Sequence, residues 1–293
     1  MRRISFSPPD IGEAEIAEVA EALRSGWITT GPRTKHLERR LAAYIATGDN
    51  TVDTEADTAA WSNRVVCLNS ATAAEELNLR IFGVGPGDEV IVPAYTYTAT
   101  ASAAIHCGAT VKFVDIRRDG DAVTHMPEMD YEALAAAITE KTKVIVAVDL
   151  AGIIADYETM FRIAEEKKSL FRPVESDGTP LGDLNHRIQA SIGRIAVFSD
   201  AAHSLGAWRT FRGEKKYCGT IADFTSFSFH AVKILRPPRA ARAHGNRSRV
   251  STTRRSTSST SCSRCTDRTR MLLPRRNWEH GNTISSGRGT NAT

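Results

Sequence analysis

Between Val65 and Ser228 short apolar runs alternate with longer segments of helical period, and this alternation constrains the fold more than any other feature of the chain. Val65–Leu68, Glu89–Pro93, Thr110–Asp115, Lys143–Asp149, Arg194–Ser199 and Asp223–Ser228 read as strands. Ala73–Phe82, Thr96–His106, Tyr131–Ile138 and Tyr157–Lys167 read as the helices between them. Strands separated by helices predict an α/β fold of three layers, with helices on both faces of a mostly parallel sheet. Such sheets bind ligands beyond the carboxyl ends of their strands. A hydrophobic content of 41% is enough to fill that core.

Ahead of the repeat, residues 10–24 carry an apolar stripe at Ile16, Val19, Ala20 and Leu23, with Asp10 as N-cap and Gly26 as the stop. A second helix carries Leu37, Leu41 and Tyr44. Residues 48–63 lack periodicity and read as a loop, as does the Gly/Pro/Asp-rich stretch from Pro173 to Asn185.

Four groups with chemical potential fall at strand ends. Ser70-Ala71-Thr72 follows the first strand and opens a helix, so its N–H groups and hydroxyls can cradle a phosphate; an ordinary Ser cap is the plainer reading. Tyr97 follows the second strand and can stack on a flat ligand or simply pack in the core. Asp200 follows Ile195-Ala196-Val197-Phe198-Ser199. A carboxylate there calls for a cation such as a protonated pyridine nitrogen, unless it caps the following helix. Lys233 ends Ser226-Phe227-Ser228-Phe229-His230-Ala231-Val232, where an apolar setting makes a nucleophilic amine able to form a Schiff base; a surface lysine is the alternative. Ser228 can add a hydroxyl to the phosphate site. Each feature is weak alone, but phosphate cradle, aromatic, acid and amine in that order point to a cofactor site.

These segments, together with Gly26-Trp27-Ile28-Thr29-Thr30-Gly31-Pro32, Asn69-Ser70-Ala71-Thr72-Ala73, Gly85–Pro93 and Asp200–Ala207, resemble the signatures of the DegT/DnrJ/EryC1/StrS sugar aminotransferases over about Ile4 to Lys233. The resemblance implies the large domain of a pyridoxal 5'-phosphate transferase over residues 1–233, with the C-terminal small domain missing. It implies Lys233 as the cofactor-holding and proton-shuttling amine, Asp200 on the ring nitrogen and Tyr97 stacked on the ring. His203 would approach the ring hydroxyl, and Ser70, Ala71, Thr72 and Ser228 would surround the phosphate. Trp27, Ile28, Thr29 and Thr30 would line the sugar entrance. A nucleotide-linked keto sugar and an amino donor such as glutamate would be the substrates, and a homodimer the assembly. Polysaccharide or antibiotic-sugar biosynthesis suits such an enzyme.

After Lys233 the family pattern stops. Residues 234–293 hold thirteen Arg, no Lys and two acidic residues, whereas residues 1–233 are net negative. This tail lacks apolar periodicity and is expected to be disordered. Its abrupt onset reads as a reading-frame slip; a natural basic arm is the rival. Loss of the family's C-terminal part would leave a sheet edge open, weaken dimerisation and impair transamination, so a non-catalytic remnant or regulatory binding module that keeps the fold is the alternative function. The net-negative body argues against a nucleic-acid binder. No eighteen-residue apolar run or signal-like leader is found, so a cytoplasmic location without membrane association is expected. Cys67, Cys107 and Cys218 read as buried reduced thiols, and Cys262-x-x-Cys265 lacks a second ligand pair, so no metal site is expected.

Overall fold

The computed structural model describes residues 11–52, 58–117, 128–230 and 233, and the backbone of 269–272. Asp10, most of the tail and the Cys262/Cys265 pair lie outside the described residues.

Helix α1 (Glu13–Arg24) begins at Gly12, whose N–H donates to Oε2 of Glu15 at 2.7 Å, and Gly26 follows it with φ +68°. Helix α2 (Pro32–Thr47) starts with proline in its first turn, where no N–H is needed, and ends at Gly48 with φ +73°. The central repeat then runs β1 (Val65–Leu68), α3 (Ala71–Phe82), β2 (Glu89–Pro93), α4 (Thr98–His106), β3 (Thr110–Val114), α5 (Tyr131–Ala137), β4 (Thr142–Val148), α6 (Tyr157–Glu166), α7 (Pro180–Ile192), β5 (Ala196–Asp200), β6 (Trp208–Phe211), β7 (Glu214–Tyr217) and β8 (Phe224–Ser228). Strand β9 (Thr269–Leu272) completes the main sheet.

That sheet has the order β1-β9-β8-β5-β4-β2-β3. β8, β5, β4, β2 and β3 are parallel neighbours, and β9 is antiparallel to both β1 and β8. Strands buried on both faces read as continuous apolar runs. Val144 and Ile145 of β4 and Ala196 and Val197 of β5 are wholly buried, as are Val90, Ile91 and Val92 of β2. Beneath α3, Phe82 meets Phe198 edge-on at 5.5 Å between ring centroids, and Phe198 lies 4.7 Å from Phe224. This aromatic block ties helix, β5 and β8 into one rigid unit. At the amino ends of β5 and β8, Arg194 makes a bidentate ion pair with Asp223 at 2.7 and 3.0 Å.

Three features depart from the sequence expectation. The stretch from Pro173 to Asn185, expected to be a loop throughout, contains the start of α7: Thr179 caps Gly182 N–H at 3.0 Å and Pro180 opens the helix. That Thr-Pro pair is a recognisable start signal, hidden by Gly182 and the surrounding Gly and Asp residues. The hairpin β6–β7 turns at Arg212 (φ +50°) and Gly213 (φ +81°), and its strands are too polar to stand out. Finally, Thr269–Leu272 is a strand rather than part of a wholly unstructured tail. It corrects the expected open edge: β8 and β1 both find their hydrogen-bond partners in β9, which ends in the apolar pair Met271-Leu272.

Candidate functional site

The carboxyl ends of β1, β2, β4, β5 and β8 converge on one side of the sheet, and the sequence-derived residues lie there. Ser70 is the N-cap of α3, its hydroxyl accepting from Ala73 N–H at 3.1 Å. The hydroxyl is therefore engaged as a cap, and the two amides left over by helix geometry, those of Ala71 and Thr72, point outward with the helix dipole behind them. They could hold a phosphate. Ser228 is buried at the end of β8, its Oγ accepting from His230 N–H at 3.4 Å.

Tyr97 immediately precedes α4 and is 72% exposed, which excludes the core-packing reading. Nζ of Lys233 sits 5.6 Å from the centroid of its ring. The lysine is thus on the site side of the sheet, half-buried, with its backbone N–H donating to His230 C=O at 2.9 Å.

Asp200, the last residue of β5, is 5% exposed. Its Oδ2 accepts from Oγ1 of Thr100 at 2.8 Å and its Oδ1 from Ala202 N–H at 3.1 Å. Thr100 is held in turn by Thr96, 2.8 Å away. The two donors are neutral, so the carboxylate retains strong affinity for a cation arriving from the open side. The helix-cap reading fails, because a turn rather than a helix follows Asp200.

His203 is oriented by a neighbouring turn. Nδ1 accepts from Ala151 N–H at 3.2 Å, and a Cβ on Gly152 would lie 3.0 Å from the His203 carbonyl oxygen. Ala151 takes φ +53° to make this approach. Although His203 remains solvent-exposed, desolvation of its ring and the Lys233 charge hold its pKa below the usual imidazole value, with Asp200 opposing them. The turn is anchored by Asp149, which is 1% exposed. Its carboxylate accepts from Ala155 N–H and Tyr157 OH on one oxygen, and from Ser199, Ser204 and Cys218 on the other. Its N–H donates to Asp200 C=O at 3.0 Å.

Sequence reasoning missed Thr100, Asp149, Ala151 and Glu75. Thr100 lies three residues beyond Tyr97, and Asp149 ends an apolar strand as Asp200 does; those placements were the available signals. Glu75 carried none, since its side of α3 is settled only by packing. Trp27 and Ile28 are 55% and 60% exposed in a turn where indole Nε1 donates to Thr30 C=O at 3.1 Å and the ring covers Gly31. Cys107 and Cys218 are buried free thiols, but Cys67 is only half-buried, because it lies on β1 near the sheet edge. A groove of about 860 Å³ lined by Glu158, Arg162, Arg194, Phe211, Arg212 and Asp223 lies at the amino ends of β5 and β8, away from this constellation.

The residues fit pyridoxal phosphate. An exposed ring face, an amine over it, a buried carboxylate without a cationic hydrogen-bond donor, and two spare helix N-terminal amides match the cofactor's ring, aldehyde, pyridine nitrogen and phosphate. The comparisons agree. The model of the DegT/DnrJ/EryC1/StrS aminotransferase family matches residues 9–171 and 181–237. The spore coat polysaccharide biosynthesis protein SpsC of Bacillus subtilis is 33% identical over 232 residues, 79% of this chain and 46% of that protein. The sugar aminotransferase Spr1654 of Streptococcus pneumoniae, described as putative and solved in its PLP form, is 51% identical with a TM-score of 0.64, covering 79% of this chain and 50% of that one. A 3-amino-5-hydroxybenzoic acid synthase is 26% identical with a TM-score of 0.58, covering 92% and 50%. The chain spans about half the length of the relatives it matches.

Proposed function

Since this chain belongs to the DegT/DnrJ/EryC1/StrS aminotransferase family, we propose that it serves pyridoxal-phosphate-dependent transfer of an amino group from a donor such as glutamate to a nucleotide-linked keto sugar. The observation that carries the reading is the placement of Lys233 Nζ 5.6 Å above the Tyr97 ring, on the same side of the sheet as the buried Asp200. When bound, the cofactor supplies an electron-withdrawing ring that stabilises negative charge developing on a substrate carbon.

The protein's own groups divide the remaining work. Asp200, fixed by Thr100 and Ala202, holds a proton on the pyridine nitrogen through its negative charge. Tyr97 offers its face to the ring, and the Ala71 and Thr72 amides bind the phosphate. Nζ of Lys233 would hold the aldehyde and, when free, would take up and return a proton. His203, with Nδ1 occupied by Ala151, keeps Nε2–H available as a donor to the ring oxygen. Trp27, Ile28, Thr29 and Thr30 form the substrate entrance, and a homodimer is the proposed assembly. SpsC, named for spore coat polysaccharide biosynthesis, supports a polysaccharide-related sugar as substrate.

Among the described residues no helix is long and apolar enough to cross a membrane. The test is conversion of glutamate to 2-oxoglutarate by the full chain with pyridoxal phosphate and a UDP- or dTDP-linked keto sugar. Sugar-dependent turnover lost in Lys233→Ala supports the proposal. Cofactor binding without turnover leaves the binding-module alternative, and neither binding nor turnover overturns both.

A further inference from the structure

Behind Asp200, on the face of α3 turned to the sheet, lies a second buried carboxyl. Glu75 is 6% exposed, against 5% for Asp200. Asn78, one turn further along α3, donates Nδ2–H to Ser226 Oγ at 3.0 Å, which fixes this face of the helix against β8. Neither oxygen of Glu75 has a hydrogen-bond donor among the described residues. Among the described residues, the charged groups acting on it are Asp200, from the end of β5, and Lys233, beyond β8. The polar residues that α4, α7 and β8 bring towards α3, Thr100, Asn185, Gln189 and Ser226, are neutral.

Two carboxylates this deeply buried and in electrostatic contact do not both ionise. Hydrogen bonding decides which one keeps the proton. Asp200 accepts from Thr100 and Ala202, both of which stabilise its anion. Glu75 accepts from none of the described residues, which leaves its anion without their compensation for lost water. We propose that Glu75 is held as a neutral carboxylic acid and is a positioning residue for Asp200, backing it with an uncharged group so that Asp200 is the single anion facing the cofactor nitrogen. Burial and the Asp200 charge both push Glu75 in this direction, and Lys233 only partly offsets them. The inference rests on the cofactor role of Asp200 for its meaning, but its protonation claim is testable in protein without cofactor.

The experiment compares chemical unfolding of the full wild-type chain and Glu75→Gln, without cofactor, at a series of pH values. A buried acid that keeps its proton when folded loses stability relative to the unfolded state as pH rises above the ordinary glutamate value. Glu75→Gln should therefore gain on the wild type as pH rises above about 4.5, by up to about tenfold in the folding constant per pH unit. A ratio that stays constant with pH overturns the proposal. If Glu75→Gln does not fold, carboxyl ¹³C NMR of the wild type decides the matter. A Glu75 resonance still protonated at neutral pH, and titrating lower in Asp200→Asn, supports it; an ionised resonance at pH 6 overturns it. The loaded protein supplies a second readout: Glu75→Gln should bind pyridoxal phosphate within about threefold of wild type, and Glu75→Leu, which removes the polar backing, should alter the pH at which the bound cofactor's absorbance titrates. Failure of cofactor binding in every variant, with Glu75 protonated, would count against the aminotransferase reading alone.

Discussion

The backbone N–H of Ala151 donates to Nδ1 of His203 across 3.2 Å, and this contact fixes where the imidazole carries its proton. With Nδ1 accepting, the neutral ring must be protonated at Nε2. Nitrogen-15 NMR of the full chain at pH 8 should show His203 as the Nε2–H tautomer. Ala151→Gly should preserve it and, by relieving a left-handed alanine, stabilise the fold by up to about 1 kcal/mol. Ala151→Pro, which removes the donor, should give a tautomer mixture.

The same contact gives a pH dependence with a definite sign. Protonation of His203 would set two donors against each other at Nδ1, and the folded pKa is held below the ordinary value by desolvation and by Lys233. The unfolded chain therefore takes up a proton more readily as pH falls below about 6.5, and the native state loses stability over that window. Unfolding midpoints of the wild type should fall relative to His203→Gln between pH 6.5 and 5, and should run parallel to them above pH 7.5.

Thr100 acts on the cofactor through Asp200. Thr100→Val keeps the shape and removes the hydroxyl donor, leaving one lobe of a buried carboxylate unpaired. Cofactor affinity in a fluorescence titration should fall by roughly tenfold, corresponding to about 1–1.5 kcal/mol, while Thr100→Ser should stay within about threefold of wild type.

Asp149 holds the turn that carries Ala151. Five donors converge on its carboxylate, and an amide in its place must turn a donor of its own towards Ser199, Ser204 and Cys218 or towards Ala155 and Tyr157. Asp149→Asn should lower stability by on the order of 3 kcal/mol in urea unfolding, a loss that thermal shift also reads.

The inner strands of the parallel repeat were legible in the sequence because they are buried on both faces, and burial writes itself as unbroken apolar runs such as Val144–Val148. The placement of Asp200 and Tyr97 next to the carboxyl ends of β5 and β2 was legible for a related reason: the ends of such runs can be read directly from where the apolar residues stop. Helix α7 was obscured by Gly182, and β6 and β7 by their short length and largely polar, only half-buried side chains. Strand β9 was not legible at all, since what selects it is the vacant backbone partners of β1 and β8, a property of the assembled sheet. Glu75 and Ala151 belong to the same class. Their roles depend on what packs against them from far along the chain, not on their own neighbours: Glu75 meets Asp200, 125 positions later, and Ala151 meets a histidine 52 positions later.

The placement of one amine over one ring underlies the functional reading, and chemical trapping tests it most directly. The folded chain is incubated with pyridoxal phosphate, reduced with borohydride, digested and mapped by mass spectrometry. One phosphopyridoxyl adduct, at Lys233, absent in Lys233→Arg and diminished by about three- to tenfold in Tyr97→Ala at limiting cofactor, is the predicted result. A folded sample that takes up no label, or that is labelled at other lysines while Lys233 stays free, would contradict the account.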